Sequence, residues 1–316
     1  MNLNDFIKSE CARGNYTGMV LIDLQKAFDC VDHGLLLQKL SAKGVSSTDW
    51  FRFYLSDRSQ CTQVSGIDSS FSEVTCGVPQ GSILGPTLFL CYINDMVDAL
   101  NCRLSLYADD SALVHSGADP NEIARFLSSE LAICQRWLID NRLSLHLGKT
   151  ECILLGSKQR LGPGVKFEVK LDDMVVSRVT SVRYLGVILD EFFDFSKHVE
   201  GLLKKARSKL QFLYRNSHFL NYSTRKLLCQ ALIFSSLKYC SSCLLMYFSV
   251  NVLVSCFPFR LEFTWGQKSS QVFHGFLSQN VLSILTSFIH SKLKLVFLRR
   301  TLVRTLIKSL QFIDII

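Results

Sequence analysis

The chain has 316 residues, 48% of them apolar, which is ample for a packed core and excludes a disordered or low-complexity polypeptide. Lys and Arg number 35 against 27 Asp and Glu, a formal charge of +8 that suits a polyanionic partner or an acidic membrane surface. Twelve cysteines, scattered without the dense spacing of a secreted scaffold, fit free thiols in an intracellular compartment, and the charged start MNLNDFIKSE reads as neither signal nor transit peptide.

In chain order, GMVLIDL (residues 18 to 24) is a short apolar run ending on a carboxylate, a buried strand that delivers Asp23 to its end. A helix begins at Asp32 as N-cap and stops at Gly44, and a second short helix spans about 47 to 56. The β-prone segments 61 to 65 and 71 to 76 predict a hairpin. The passage GVPQGSILGP then leads into a helix from about Pro86 to Leu100, with the proline in its first turn.

CRLSLYADDSALVH (102 to 115) reads as strand, tight turn, strand, with Asp109 and Asp110 at the turn. Asp119 to Glu122 form a capping-box start, after which Ile123, Phe126, Leu127, Leu131, Cys134, Trp137 and Leu138 recur at helical spacing. Strands are expected near 151 to 156, 166 to 171 and 182 to 189, and a basic helix from about Phe195. Tyr239 to Phe259 holds no charged residue over 21 positions, the bare length of a membrane span. Its serines, Asn251 and Pro258 favour a buried or misread segment instead, so no obligate membrane partner is expected. Cys240 and Cys243 have the spacing of half a zinc site, but no matching second half follows, so no zinc is assigned. From 251 to 316 only Glu262 and Asp314 oppose eight Lys and Arg, a texture that agrees with no local pattern.

Asp23 at a strand end and Asp109-Asp110 at a turn can supply hard oxygen ligands from two neighbouring strands. Neighbours within a strand face opposite sides, so an Asp-Asp pair converges on one site only where the backbone turns. Such carboxylates repel one another, which favours bound Mg²⁺. Nucleotide addition needs this arrangement: two divalent ions about 3.5 to 4 Å apart activate the attacking oxygen and neutralise the leaving pyrophosphate.

Further motifs follow in order. Asp23-Leu-Gln-Lys-Ala-Phe28-Asp29, Gly77-Val-Pro-Gln-Gly81-Ser-Ile-Leu-Gly-Pro86 and Tyr107-Ala-Asp-Asp110 resemble the successive palm motifs of reverse transcriptases, and LIDLQKAFDCVDH resembles the form in non-LTR, LINE-type retrotransposons. Leu143-Ser-Leu-His-Leu-Gly-Lys149-Thr150-Glu151 and Tyr184-Leu-Gly186-Val-Ile-Leu-Asp190 extend the resemblance, which covers residues 16 to about 245.

The resemblance implies an RNA-directed DNA polymerase adding dNTPs to a primer 3′ end by two-metal catalysis, with an RNA template and a DNA primer. It makes Asp23, Asp109 and Asp110 catalytic, with Asp23, Asp109, Asp110 and the Leu24 carbonyl as ligands of two Mg²⁺ ions, Mn²⁺ being the alternative. Phe28 becomes a steric gate against a 2′-hydroxyl, Pro79, Gln80 and Gly81 shape the nucleotide pocket, and Lys149 stands near the triphosphate. Tyr107 packs near the primer end. Tyr184, Leu185 and Gly186 form the primer grip, and Lys204, Lys205, Arg207, Lys209 and Arg215 belong to a thumb helix.

The expected fold class is α+β: a palm with a small antiparallel sheet and helices on one face, then a helical thumb remnant. The domains are 1 to 192 for the palm, with the fingers largely missing, 193 to 245 for the thumb-like region, and 246 to 316 for a divergent tail outside the ancestral frame. The alternative function is a catalytically inactive, truncated retroelement relic with residual nucleic-acid binding. A group II intron maturase ranks third, because DLQKAFDCVDH is closer to the retrotransposon wording.

Overall fold

The computed structural model describes residues 2–162 and 164–240. The divergent tail, the uncharged stretch beyond Cys240 and Cys243 lie outside these residues. No helix among the described residues is long and apolar enough to cross a membrane.

The chain opens with helix α1 (Leu3–Ala12) and strand β1 (Tyr16–Ile22). Helices α2 (His33–Ala42) and α3 (Thr48–Leu55) follow. Four two-residue strands come next: β2 (Ser59–Gln60), β3 (Gln63–Val64), β4 (Ile67–Asp68) and β5 (Ser72–Glu73). Helices α4 (Leu84–Ile93) and α5 (Met96–Ala99) lead to β6 (Arg103–Tyr107), β7 (Asp110–Gly117) and the long helix α6 (Pro120–Asp140). Strands β8 (Glu151–Leu155), β9 (Lys170–Leu171), β10 (Met174–Val175), β11 (Ser177–Arg178), β12 (Ser181–Tyr184) and β13 (Val187–Asp190) complete the strand set. Helices α7 (Ser196–Arg215) and α8 (Tyr222–Cys229), a π turn (Gln230–Phe234) and α9 (Ser235–Lys238) end the described chain.

The main sheet has the order β11, β8, β1, β7, β6; its pairs are antiparallel except β11 with β8. Alternation along β1 sends Gly18, Val20 and Ile22 to one face and Thr17, Met19 and Leu21 to the other. On the first face lies α6, whose Ile123, Leu127, Leu131, Cys134 and Leu138 are buried. Gly18 makes this approach feasible, because a Cβ there would stand 2.6 Å from Ile123 Cγ2 and 2.7 Å from Leu127 Cδ1. The second face is covered as well. Arg103, Val114, Met19 and Ile153 form one cross-strand row, and the Arg103 guanidinium sits over the Phe6 ring of α1. Helices therefore pack on both faces, not on one: Met19 and Ile153 are fully buried, and leaving them bare would expose apolar area to water.

The capping signals correspond to observed ends. Asp32 accepts from Leu35 N at 2.8 Å, and Asp119 accepts from Asn121 N at 2.9 Å. The helix expected from Pro86 to Leu100 is two helices. It starts at Leu84, where Ser82 Oγ accepts from Gly85 N, and it breaks after Ile93, where Lys39 Nζ donates to the Tyr92 carbonyl and to Asp95. The hairpin expected from 61 to 76 is a nested pair, β3 with β4 inside β2 with β5. The strand expected at 182 to 189 is the hairpin β12–β13, because Leu185 and Gly186 take φ of +46° and +78° and turn the chain in two residues. Only residues 170 and 171 of the strand expected at 166 to 171 join a ladder.

Buried Glu130 of α6 accepts from Asn101 N at 2.7 Å and from Cys102 N at 3.1 Å, which fixes the chain entering β6.

Candidate active site: a carboxylate row beside a cleft

The last pair of the β1–β7 ladder is Ile22 with Ser111. One step further sets Asp23 across from Asp110, and the β6–β7 ladder sets Tyr107 across from Asp110. Asp23, Asp110 and Tyr107 thus form one row at the end of the sheet, with Asp109 in the two-residue turn beside it. Ala108 takes φ +54° there, a left-handed conformation that lets the loop close between strands. The Asp110 carboxyl is raised above its ordinary value, first by partial burial, then by the charges of Asp109 and Asp23. The three carboxylates are therefore close enough to feel one another. As they stand, no three Asp, Glu, His or Cys side chains among the described residues are grouped closely enough to hold a metal ion. The donor chemistry fits a hard divalent cation, since each group is a carboxylate and their mutual repulsion is relieved by positive charge.

A cation is already near. The segment 144–150 is strapped to the end of β1 by Gln25 N to Ser144 O (2.9 Å) and His146 N to Asp23 O (2.8 Å). That strap brings Lys149 Nζ to 3.8 Å from Asp23 Oδ2.

Beside the row lies an open cleft of about 420 Å³ lined by Leu24, Lys26, Ala27, Phe28, Pro79, Gln80, Gly81, Gly85, Pro86 and Asp109. Phe28 lies in a 3₁₀ turn (Ala27–Asp29) and stacks on Phe89 with ring centroids 4.4 Å apart. The loop around Pro79 is clasped to this turn by Val78 N to Phe28 O and Gly77 N to Val31 O, both 2.8 Å, and Gln80 Nε2 donates to Asp29 Oδ1 at 2.7 Å. Gly77 has φ +89°, and a Cβ there would meet the Asp29 carbonyl oxygen at 2.8 Å. That glycine serves a close approach of protein backbone, whereas around Gly81, also left-handed at φ +79°, there is open space.

Of the residues singled out from the sequence, Leu24, Phe28, Pro79, Gln80, Gly81 and Asp109 share this cleft; Asp23, Asp110, Lys149 and Tyr107 stand at the carboxylate row. Tyr184, Leu185 and Gly186 lie apart from the cleft lining. The Tyr184 ring is buried and its hydroxyl hydrogen-bonds to Ser105 Oγ at 2.9 Å, tying β12–β13 to the central sheet near Asp110. Leu185 and Gly186 form the tip of that hairpin, where Tyr239 donates to the Leu185 carbonyl at 2.6 Å. Lys209 of α7 donates to the Leu232 carbonyl of the π turn at 2.7 Å and to Ser236 of α9 at 3.3 Å. Lys26, Ala27, Gly85 and Pro86 went unrecognised as lining residues; the signal was their place inside the two motifs already singled out.

The model of the family described as reverse transcriptase (RNA-dependent DNA polymerase) matches residues 2–189. The chain belongs to the reverse transcriptase family. It is 31% identical over 213 residues to "Probable RNA-directed DNA polymerase from transposon BS" of Drosophila melanogaster, covering 62% of this chain and 22% of that protein. It is 30% identical over 217 residues to the RNA-directed DNA polymerase from mobile element jockey of Drosophila funebris, covering 65% and 23%. It is 32% identical over 145 residues to the Pol polyprotein from type-1 retrotransposable element R1 of Nasonia vitripennis, covering 44% and 43%. The chain thus spans less than a quarter of the first two relatives. It is a reverse transcriptase domain of the non-LTR retrotransposon type, with a small sheet and helices of mixed α/β content. The carboxylate row and the adjoining cleft both lie within the matched residues.

Proposed function

We propose that this reverse transcriptase domain extends a primer 3′ end with dNTPs under the direction of an RNA template. The observation that carries the reading is the carboxylate row, in which Asp23 and Asp110 face each other across two strands and Asp109 opens onto the cleft. Asp23, Asp109, Asp110 and the Leu24 carbonyl would hold two divalent cations, Mg²⁺ before Mn²⁺. When bound, these supply positive charge to the attacking 3′ oxygen and the leaving pyrophosphate.

The remaining roles belong to the chain's own groups. Lys149, positioned by the strap on Asp23, donates positive charge or a proton to the leaving pyrophosphate. Phe28, held by Phe89, offers a rigid aromatic face that rejects a 2′-hydroxyl by overlap. Pro79, Gln80 and Gly81 form the opposite wall, with Gln80 fixed by Asp29 so that the wall keeps its shape before a nucleotide arrives. Tyr107, exposed in the same row as Asp23 and Asp110, is placed to meet the primer end. The hairpin tip at Leu185 and Gly186 grips the primer backbone, with Tyr184 as its anchor.

Residues 1 to 192 act as the palm and 193 to 245 as a thumb-like region. Exposed Lys204 and Lys205 of α7 follow duplex phosphates without reading sequence. The test is incorporation of each labelled dNTP on four RNA templates differing in the first templating base. The complementary nucleotide is expected in each case, and incorporation independent of the template would overturn the reading.

A further inference from the structure

Cys30 and Cys76 stand on the two chain segments that wall the cleft. Cys30 follows the turn carrying Phe28 and Asp29; Cys76 immediately precedes Gly77. The clasp between the segments joins Val78 N to the Phe28 carbonyl and Gly77 N to the Val31 carbonyl, which holds the stretch containing Cys30 directly against the stretch containing Cys76. Two distances set Cys76 against the residue that immediately precedes Cys30. The Cys76 Sγ lies 3.3 Å from the Asp29 carbonyl oxygen, and a Cβ on Gly77 would stand 2.9 Å from the Asp29 Cα.

Both thiols are free. Cys76 is exposed and Cys30 half-buried, and each spends its S–H on a carbonyl: Cys76 on Asp29, and Cys30 on Gln25 at 3.7 Å. Thiols are weak donors, so turning away from these carbonyls costs little. The Cys30 thiol is pushed up by burial first and then by the charges of Cys76 and Asp29.

We propose that Cys30 and Cys76 are a reversible oxidation site that a peroxide converts to a disulfide, tying the Phe28 turn to the Gly77–Gly81 loop and fixing the cleft between them. The exposed Cys76 thiolate attacks a peroxide oxygen; the O–O bond breaks, leaving a sulfenic acid on Cys76 and, from hydrogen peroxide, one water. The Cys30 sulfur then attacks the Cys76 sulfur, the S–O bond breaks, the S–S bond forms, and a second water departs with the last thiol proton. Two thiols lose two electrons and two hydrogens to one peroxide. A low-molecular-weight thiol reverses the step by exchange. The site goes beyond the polymerase reading and does not depend on it, since its formation requires no nucleotide and no metal.

The experiment uses the full chain, reduced, exposed to hydrogen peroxide, alkylated, digested without reductant and analysed by mass spectrometry. The expected product is a Cys30–Cys76 linked peptide two hydrogens lighter than its reduced halves. It should vanish with dithiothreitol or in Cys30→Ser and persist in Cys61→Ser, which removes the other exposed cysteine near this loop in sequence. Wild-type chain in which Cys30 stays fully alkylated while Cys76 is oxidised, or in which Cys76 pairs with Cys61, overturns the proposal.

Discussion

Asp110 begins β7 beside Asp109 and across from Asp23, and its carboxyl is raised above the ordinary 3.8 by partial burial first and those two charges second. A carboxyl raised in the folded state contributes stability that is fully present below the unfolded value and is lost as pH rises through the folded one. Ionised Asp110 therefore weighs against folding near neutral pH. Asp110→Asn is expected to melt higher than wild type at neutral pH, and the difference should disappear below pH 3.8, as thermal melts across that range would show. Equal differences at both ends would mean that the Asp110 carboxyl is not raised in the folded chain. Phe28→Ala should relax sugar selection: about 10- to 100-fold less discrimination between dNTP and rNTP, measured as the ratio of incorporation efficiencies. Unchanged selectivity would make Phe28 an ordinary partner of Phe89. The grouping of Asp23, Asp109 and Asp110 was legible because carboxylates at a strand end and at a neighbouring turn can converge, whereas the role tested for Phe28 comes only from the family resemblance. The bonding of Lys209 was not legible, since a lysine that bonds a carbonyl and one that faces solvent look alike in sequence.

Elements were legible where a local signal agreed with the packing. The Asp119 cap and the apolar stripe from Ile123 to Leu138 define α6 because both act within a few residues. The break between α4 and α5 depends on Lys39, which arrives from α2 more than fifty residues earlier, so no local pattern marks it. The covering of both sheet faces was equally hidden, because α1 reaches its face through the stacking of Arg103 on Phe6. Two substitutions test the packing directly. Gly18→Ala forces a methyl into Ile123 and Leu127 and should cost about 1 to 3 kcal/mol, read by denaturant unfolding. A neutral result would mean that α6 does not press on β1. Tyr184→Phe removes the hydroxyl bond to Ser105 and should cost about 0.5 to 1.5 kcal/mol. Greater amide exchange in β12–β13, with the rest of the sheet unchanged, would locate that loss in the hairpin.

The described residues join a buried sheet, a carboxylate row at its end, a cleft between two clasped motifs and a basic helix. The excess of positive charge was visible at once in the composition, but composition alone did not choose between nucleic acid and an acidic membrane surface; the ordered motifs and the family support nucleic acid as the proposed partner. Lys204→Ala with Lys205→Ala should weaken binding to an RNA–DNA duplex alike for all sequences. The slope of log affinity against log salt should shrink by about 0.9 for each phosphate that is no longer neutralised. A sequence-dependent effect would instead point to recognition of base edges.

The most direct measurement is primer extension on an RNA template with Mg²⁺ and dNTPs, comparing the wild-type chain with the Asp109→Ala, Asp110→Ala double variant, both verified as folded by circular dichroism. Extension by the wild type and its loss in the variant are expected if the carboxylate row is the catalytic centre. Extension that survives the double substitution, or no extension by a folded wild-type chain, would contradict that assignment.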